Sequence, residues 1–188
     1  VERVLPLLRE GKPARLAPVA EDEMPAFRAL GLLTAKPVLY VANVDESSAA
    51  RGNACSALVA ARAVGEGAGS VVISAKIESE LAELPPAERE AYLAELGLSE
   101  PGLNRLIREG YKLLGLITYF TAGPKEARAW TVLQGTRAQQ AAGVIHTDFE
   151  KGFIGAETMC YDDYIALDGE GGARDAGKLR LEGKDYVV

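Results

Sequence analysis

Two apolar runs in this chain each end in side chains that can hold a small polar ligand. The first run covers residues 37–42 and the second covers residues 70–73. The residues that follow them are Asn43, Val44, Asp45 and Glu46 after the first run, named here the NVDE loop, and Ser74, Ala75 and Lys76 after the second, named the SAK loop. Open α/β sheets bind ligands outside the carboxyl ends of buried parallel strands. The spacing therefore predicts a ligand site where the two loops meet.

The chemistry of the NVDE loop points to a purine base. A guanine-reading loop commonly has the order Asn-Lys-x-Asp, and its Asp accepts hydrogen bonds from the ring N–H and the amino group of guanine. Here Glu46, one methylene longer, stands in the fourth position, and Val44 offers an apolar surface in place of Lys. Adenine presents the reverse pattern, a donor at its amino group beside an acceptor ring nitrogen. One buried unpaired group costs about 1–3 kcal/mol, and about 1.4 kcal/mol is tenfold in affinity, so this exchange predicts a changed base preference.

The NVDE loop alone is also compatible with a purely structural role, because Asn, Asp and Glu after a strand are ordinary turn and helix-cap residues. The SAK loop favours function. Lys76 follows Glu46 by 30 residues, the length of one strand–helix–strand crossover, and Ser-Ala-Lys after a strand presents backbone N–H groups to a base. Together the loops predict a base-binding site whose residues are Asn43, Val44, Glu46, Ser74, Ala75 and Lys76.

The other candidate side chains predict no catalytic or metal site. His146 is the only histidine, and since it lies beside Thr147 and Asp148 it cannot form a triad from separate elements or anchor a conventional zinc site. We expect a hydrogen-bonded structural histidine. Five acids fall in segments predicted to be exposed helix and receive no catalytic role: Glu78, Glu80, Glu83, Glu88 and Glu90.

Trp130 is expected in the core or at a partner surface rather than as a platform for nucleic acid. Lys178, Arg180 and Lys184 alternate with acids and predict a solvated face first and an RNA contact second. Cys55 and Cys160 are far apart, which favours two buried thiols over a bridge.

Composition bounds the class of protein. A chain of 188 residues with 48% hydrophobic and 26% charged residues fills a core of one large or two small domains. No apolar stretch reaches the ~18 residues of a membrane helix, and no secretory signal begins the chain. We therefore expect a cytoplasmic protein without membrane contact. The net charge of −6 opposes nucleic-acid binding through overall charge, so any RNA contact must come from a local patch.

The pattern of the first 114 residues predicts an α/β fold. Residues 1–17 resemble the end of an amphipathic helix that begins outside this chain, and residues 21–30 predict another helix. Strands are predicted at 37–43 and 70–75 with a helix at 54–63 between them, which is a right-handed crossover. Residues 78–114 are predicted to be helical, with a helix started by Pro85-Pro86 and another capped at Ser99-Glu-Pro101. A domain boundary is expected at residues 111–114.

Beyond that boundary the pattern becomes β-rich. Residues 116–122 and 127–134 predict a hairpin around a Gly123-Pro124 turn, and Thr136 is expected to cap a short helix. Further strands are predicted at 153–161 and from residue 185. Residues 169–177 are expected to form a flexible loop, with room for a single helical turn. This order resembles a β-grasp domain.

Several longer segments resemble the C-terminal half of the YchF or Obg-like ATPase family. The most specific is the run His-Thr-Asp-Phe-Glu-Lys-Gly-Phe at residues 146–153, and matching stretches also cover residues 38–46, 95–104, 119–131, 140–145 and 183–186. The resemblance implies a P-loop nucleotidase of the translation-factor class that hydrolyses ATP with Mg²⁺, binds GTP more weakly and associates with the ribosome. It implies a coiled-coil arm that ends in residues 1–17, the C-terminal part of a nucleotide-binding domain at 18–114, and a TGS domain of β-grasp, ubiquitin-like fold at 115–188.

Two departures from the family pattern shape this expectation. No Gly-x-x-x-x-Gly-Lys-Ser/Thr run occurs in the 188 residues, so the phosphate cradle and the Mg²⁺ ligands are absent, and the chain stops where relatives continue into a last TGS strand. We expect part of a longer protein that alone binds nucleotide weakly and hydrolyses none. Two alternatives stay open: a non-catalytic RNA- or protein-binding module, and an unrelated Rossmann-like enzyme, which lacks support because no glycine-rich fingerprint follows a strand.

Overall fold

The computed structural model describes residues 2–123 and 125–188, and the chain divides into two compact units, residues 1–114 and 115–188. The elements of the first unit are α1 (Leu5–Arg9), α2 (Met24–Ala29), β1 (Leu39–Asn43), α3 (Ala54–Gly65), β2 (Gly69–Ile73), α4 (Ala75–Glu83), α5 (Pro86–Glu95) and α6 (Gly102–Leu113). Short 3₁₀ helices cover Ala14–Leu16, Glu21–Glu23, Leu33–Ala35 and Glu46–Ser48.

The predicted strand–helix–strand crossover is present in the first unit. β1 and β2 pair in parallel from Leu39 opposite Gly69 to Asn43 opposite Ile73, and α3 connects them and packs on both. Asn53 starts α3 by accepting the Ser56 N–H at 2.9 Å. The second strand ends two residues earlier than predicted because the N–H of residue 75 bonds to a side chain and residue 75 already belongs to α4.

The core of the first unit lies around α4 and α5. Ile77 is only 1% exposed and packs with buried Leu81, Leu93, Leu98 and Ala49. Partly buried hydrophobic side chains that pack against this cluster are Tyr92 and Leu96. Pro86 occupies the first turn of α5, as the sequence predicted, because its missing N–H costs nothing there.

Three predictions from the sequence need correction. α6 begins after Pro101 without the predicted Ser99 cap, and the Glu78 carboxylate accepts the Gly102 N–H at 2.7 Å instead. Glu78 and Glu80 are half-buried rather than exposed. Cys55 is exposed rather than buried because it lies on the outer side of α3, and Cys160 is exposed in the second unit.

The N-terminal segment is only briefly helical. α1 ends before Gly11, whose φ of +71° suits glycine, and the following 3₁₀ turn is attached to the rest of the first unit. Its buried Ala14 donates its N–H to Thr34 Oγ1 at 3.1 Å. The Arg15 guanidinium lies 2.7 Å from the Glu66 carboxylate after α3.

The second unit contains β3 (Leu116–Ala122), β4 (Ala127–Leu133), α7 (Ala138–Ile145), α8 (Thr147–Lys151), β5 (Ala156–Thr158), α9 (Tyr161–Ala166), α10 (Glu170–Asp175) and β6 (Arg180–Glu182). The predicted hairpin is confirmed, since β3 and β4 pair antiparallel along their whole length. Its predicted turn includes Pro124, which lies outside the described residues. Thr136 does not cap α7, because its hydroxyl donates to the Leu133 carbonyl and Gln140 accepts the Arg137 N–H instead.

The strands after α7 are shorter than predicted. β5 covers three residues because its partner β6 is equally short and Cys160 already begins α9. The predicted loop at 169–177 contains α10, in which Arg174 and Glu170 form an ion pair at 2.7 Å one turn apart. The strand predicted from residue 185 reduces to one bridge between Val187 and Arg137. Among the described residues the second unit therefore has two separate two-stranded sheets.

Candidate nucleotide-base site

The NVDE and SAK loops meet at the carboxyl edge of β1 and β2. The Ala75 N–H donates to Asn43 Oδ1 at 2.9 Å, a bond between residues 32 positions apart. The Val44 N–H donates to the Ile73 carbonyl at 2.9 Å and extends the strand pairing into the first loop. One side-chain bond and one backbone bond thus join the two loops directly.

Asp45 has a structural role in the NVDE loop. Its carboxylate accepts the Ser48 N–H and the Ser47 hydroxyl, both at 2.8 Å, and so starts the 3₁₀ turn at Glu46–Ser48. Hydrogen bonds from Ser48 and then from Ser47 lower the pKa of Asp45. This is the cap chemistry that acids supply after a strand, and it sets the direction in which the next side chain leaves the loop.

Glu46 pairs across the site with the SAK lysine. The Lys76 ammonium lies 2.8 Å from Glu46 Oε1. The Lys76 side chain is 66% exposed to solvent and the Glu46 side chain is 39% exposed. Glu46 raises the pKa of Lys76 above its ordinary value through a hydrogen bond and through its charge. The carboxylate at the fourth position of the loop is therefore already held by a cation.

Ser74 lies beneath these side chains at the start of α4. It is 3% exposed, and within the described residues its hydroxyl oxygen has no hydrogen-bond partner. Buried hydroxyls are normally paired, so this group has an unused hydrogen-bonding capacity directly below the two loops. The first N–H groups of α4 face the same end of the helix and carry its partial positive charge.

The structure therefore brings all six residues predicted for base binding to one edge of the first unit. Val44 is half-buried and supplies an apolar contact, Asn43 and Ala75 are exposed, and Ser74 is buried below them at the start of α4. Chemically this edge can stack a planar ring and offer donors and acceptors to its polar rim.

The sequence analysis did not predict that Glu80 and Tyr92 lie next to the candidate base site. Lys76 Nζ also lies 3.9 Å from Glu80, one turn along α4, and the Tyr92 hydroxyl on α5 donates to that carboxylate. Glu80 raises the pKa of Tyr92 to about 12. The four-residue spacing of Lys76 and Glu80 is visible in the sequence, whereas the approach of Tyr92 depends on how α4 and α5 cross.

The single histidine has the structural role predicted for it. His146 Nδ1 accepts the Asp148 N–H at 3.2 Å and caps α8. Trp130 is half-buried, donates to Thr121 Oγ1 at 2.9 Å and lies under the Arg128 guanidinium at 4.2 Å.

Two of the three basic residues singled out near the C-terminus are paired with acids. Lys178 lies 3.7 Å from Asp163 and Arg180 lies 3.4 Å from Glu182, which favours the solvated-face interpretation.

Within residues 2–123 and 125–188, no group of three or more His, Cys, Asp or Glu side chains is placed to hold a metal ion. No helix in the described part of the chain has the length and apolarity to cross a bilayer.

A parallel crossover with two polar loops joined at its carboxyl edge is typical of α/β proteins that bind ligands at that edge. Comparison with known proteins places the chain more closely. Residues 116–188 match the family YchF-GTPase_C, described as "Protein of unknown function (DUF933)". The protein named "Ribosome-binding ATPase YchF" is 52% identical over all 188 residues in Haemophilus ducreyi and 52% identical over 179 residues in Bacillus subtilis, where 100% and 94% of this chain are covered.

Relatives of lower sequence identity also match along the whole chain. "Obg-like ATPase 1" of Oryza sativa subsp. indica is 39% identical over the whole chain. The solved "Structure of the Schizosaccharomyces pombe YchF GTPase" superposes with a TM-score of 0.85 at 36% identity and covers 100% of this chain and 50% of its own. The chain belongs to the YchF/Obg-like ATPase family. It spans about half the length of the curated relatives it matches, with 52%, 49% and 48% of the three proteins covered.

Proposed function

We propose that this chain supplies base recognition and partner docking to a translation-associated P-loop NTPase that hydrolyses ATP. The observation that carries the proposal is the bond from the Ala75 N–H to Asn43 Oδ1, together with the Lys76–Glu46 ion pair. These contacts bring two loops of different strands to one edge, as a base pocket requires. The names of the relatives, ribosome-binding ATPase and Obg-like ATPase, support the same activity and class.

A preference for ATP over GTP follows from how Glu46 is held. Guanine needs a carboxylate whose two oxygens are free to accept from its ring N–H and its amino group. Glu46 is one methylene longer than the usual Asp, and one of its oxygens already accepts from Lys76 at 2.8 Å. Guanine would leave a donor unpaired, at a cost of about 1–3 kcal/mol.

The chemical step would be performed by residues outside this chain. Mg²⁺ accompanies ATP in P-loop enzymes and is held by the phosphates and by P-loop side chains. The described residues offer no cluster of metal ligands and the sequence has no P-loop motif, so the 188 residues do not fit a Mg²⁺ site. In this proposal the chain alone binds nucleotide weakly and hydrolyses none.

The second unit is proposed to be a TGS domain that docks on the ribosome in the cytoplasm. Its hairpin carries exposed apolar side chains, with Phe120 58% and Leu133 61% exposed. A protein or ribosomal-protein contact suits such a face better than RNA does, since Lys178 and Arg180 are paired with acids.

Glu46→Asp in the full-length protein tests the base site. Shortening the side chain breaks the contact with Lys76 and places a carboxylate where guanine can use it, so we expect the ATP/GTP affinity ratio to fall about tenfold, the equivalent of about 1.4 kcal/mol. Isothermal titration with both nucleotides, with Mg²⁺ present, measures the ratio.

The matched control is Glu83→Asp, the same change at an exposed position near the end of α4, which should leave the ratio unchanged. An unaltered ratio in Glu46→Asp would show that Glu46 does not select the base. If the parent binds neither nucleotide but binds RNA with a steep salt dependence, the chain is a binding module instead.

A further inference from the structure

Glu46 is the first member of a chain of polar contacts that runs into the core of the first unit. Lys76 lies between two carboxylates, at 2.8 Å from Glu46 and 3.9 Å from Glu80. Glu80 in turn accepts a hydrogen bond from the Tyr92 hydroxyl. One cation therefore faces two acids, and only one of them belongs to the candidate base site.

The far end of this chain is fixed by packing. The Tyr92 ring packs against the core cluster that contains Ile77 and Leu93, so its hydroxyl has a defined position. The Tyr92 hydroxyl is protonated at neutral pH, as any tyrosine is, and its hydrogen bond to Glu80 raises its pKa further, to about 12. Tyr92 is therefore a donor to Glu80 at neutral pH.

The two acids compete for Lys76. Glu80 lies one turn along the same helix, so without its hydrogen bond from Tyr92 it is well placed to form an i,i+4 ion pair with Lys76. In that arrangement Lys76 would leave Glu46, and the Glu46 side chain would rotate freely in solvent. Tyr92 donates to Glu80 Oε2, whereas Lys76 faces Glu80 Oε1. The hydroxyl hydrogen bond draws negative charge toward Oε2, so the carboxylate attracts the ammonium group less strongly through Oε1. The observed distances agree with this, since Lys76 is closer to Glu46 by more than 1 Å.

We propose that Tyr92 is a positioning residue for base selection: by donating its hydroxyl to Glu80 it leaves Lys76 to Glu46, and it thereby holds the Glu46 carboxylate in one orientation. The inference rests on the proposed function, because it assigns Tyr92 a role in the same base site. Tyr92 acts through Glu80 and Lys76 and is not assigned any contact with the nucleotide.

Tyr92→Phe in the full-length protein tests the role because it keeps the ring and removes the donor. We expect the ATP/GTP affinity ratio to fall about threefold to fivefold, as befits the loss of one net hydrogen bond. Glu80→Gln alone should leave the ratio near its native value, since an amide does not compete for the ammonium group by charge.

The double variant Tyr92→Phe with Glu80→Gln shows whether Tyr92 acts by positioning Lys76 or whether its loss merely disturbs the local structure. If freed Glu80 captures Lys76, removing its charge restores the native ratio in the double variant. A ratio that is unchanged by Tyr92→Phe, or one that falls and is not rescued, overturns the proposal. Tyr40→Phe is the matched control, because it removes a hydroxyl bond of 2.7 Å to another carboxylate of the same unit, Glu66.

A measurement without nucleotide separates this inference from the base-site proposal. In the 188-residue chain, NMR coupling across the hydrogen bond from Lys76 ¹⁵Nζ to a side-chain carboxyl carbon identifies the bonded acid. We expect Glu46 in the native chain, Glu80 in Tyr92→Phe, and Glu46 again in the double variant. A Lys76 that stays with Glu46 in Tyr92→Phe refutes the positioning role, even if Glu46 does select the base. The opposite combination is also informative. If Lys76 changes partners in Tyr92→Phe as expected, but Glu46→Asp has no effect on nucleotide preference, the positioning role of Tyr92 stands and the base site is refuted.

Discussion

The two units of this chain differ in how their cores are packed. In the first unit, a cluster around the fully buried Ile77 supports a parallel sheet edge at which loops are joined by bonds over long sequence separations. Among residues 115–123 and 125–188 of the second unit, the buried ones are mostly small, Val132 being the largest of four. A cavity of 640 Å³ lies there between the β3–β4 hairpin, α7 and the segments after it.

This difference indicates which unit is suited to selecting a ligand. Discrimination between similar bases requires side chains held within a fraction of an ångström by packing and by secondary hydrogen bonds. The NVDE and SAK loops have both kinds of support. The second unit offers exposed apolar side chains on a hairpin instead, which suits recognition of a large surface.

Truncation of one isoleucine in each unit tests the contrast most strongly. Ile77→Ala removes a fully buried side chain from a filled core, so we expect a loss of about 3–4 kcal/mol from the free energy of unfolding of the first unit. Ile145→Ala removes a half-buried side chain that already borders the 640 Å³ cavity, and it should cost about 1 kcal/mol, since little packing is lost. Denaturant unfolding followed by circular dichroism and by fluorescence of Trp130 measures the two.

Trp130 is the only tryptophan and lies in β4, so its fluorescence reports on the second unit. The exposed Ile154, 91% exposed, is the control, and its change to Ala should stay within about 0.5 kcal/mol. Equal losses for Ile77→Ala and Ile145→Ala would show that the second unit is packed as tightly as the first.

Asn43→Ala tests whether a side chain joins the two loops. The change removes the acceptor of the Ala75 N–H, and the loss of one hydrogen bond should cost about 1 kcal/mol. We expect hydrogen exchange at the Ala75 amide to become about fivefold faster, the factor that corresponds to this energy. Asn104→Ala, at an exposed position of α6, should leave the Ala75 amide unaffected, and an unchanged rate in Asn43→Ala would mean that the side chain does not hold the loops together.

The sequence predicted the first unit well because its signals are local. Apolar runs, the Pro85-Pro86 start of α5 and polar residues after each strand indicated the crossover and the place where its loops meet. The prediction missed Tyr92 and Glu80, since their contact depends on the packing of two helices. It also missed that Glu78 caps α6, because that bond joins residues 24 positions apart.

Predictions for the second unit were less successful after the hairpin and α7. The strand predicted at 153–161 is three residues long, since its length is set by a partner at 180–182 and not by its own composition. Helices α9 and α10 have six residues each, too few for a periodic apolar pattern to show. The cysteine prediction was wrong for a similar reason, because burial of a small side chain follows from tertiary packing.

The smallest expected effect concerns the acid that shapes the NVDE loop. Hydrogen bonds from Ser48 and Ser47 lower the pKa of Asp45 from its ordinary value, so the folded form loses its proton more readily than the unfolded form. The resulting stabilisation is present above the unfolded pKa and disappears as the pH falls through the folded pKa. A titration of the Asp45 carboxyl carbon by NMR should therefore give a midpoint below the ordinary value of an aspartate, and Ser47→Ala, which removes the hydroxyl donor, should move it back toward that value while Ser99→Ala leaves it in place. A midpoint at or above the ordinary value of an aspartate in the native chain would mean that Asp45 does not cap the turn.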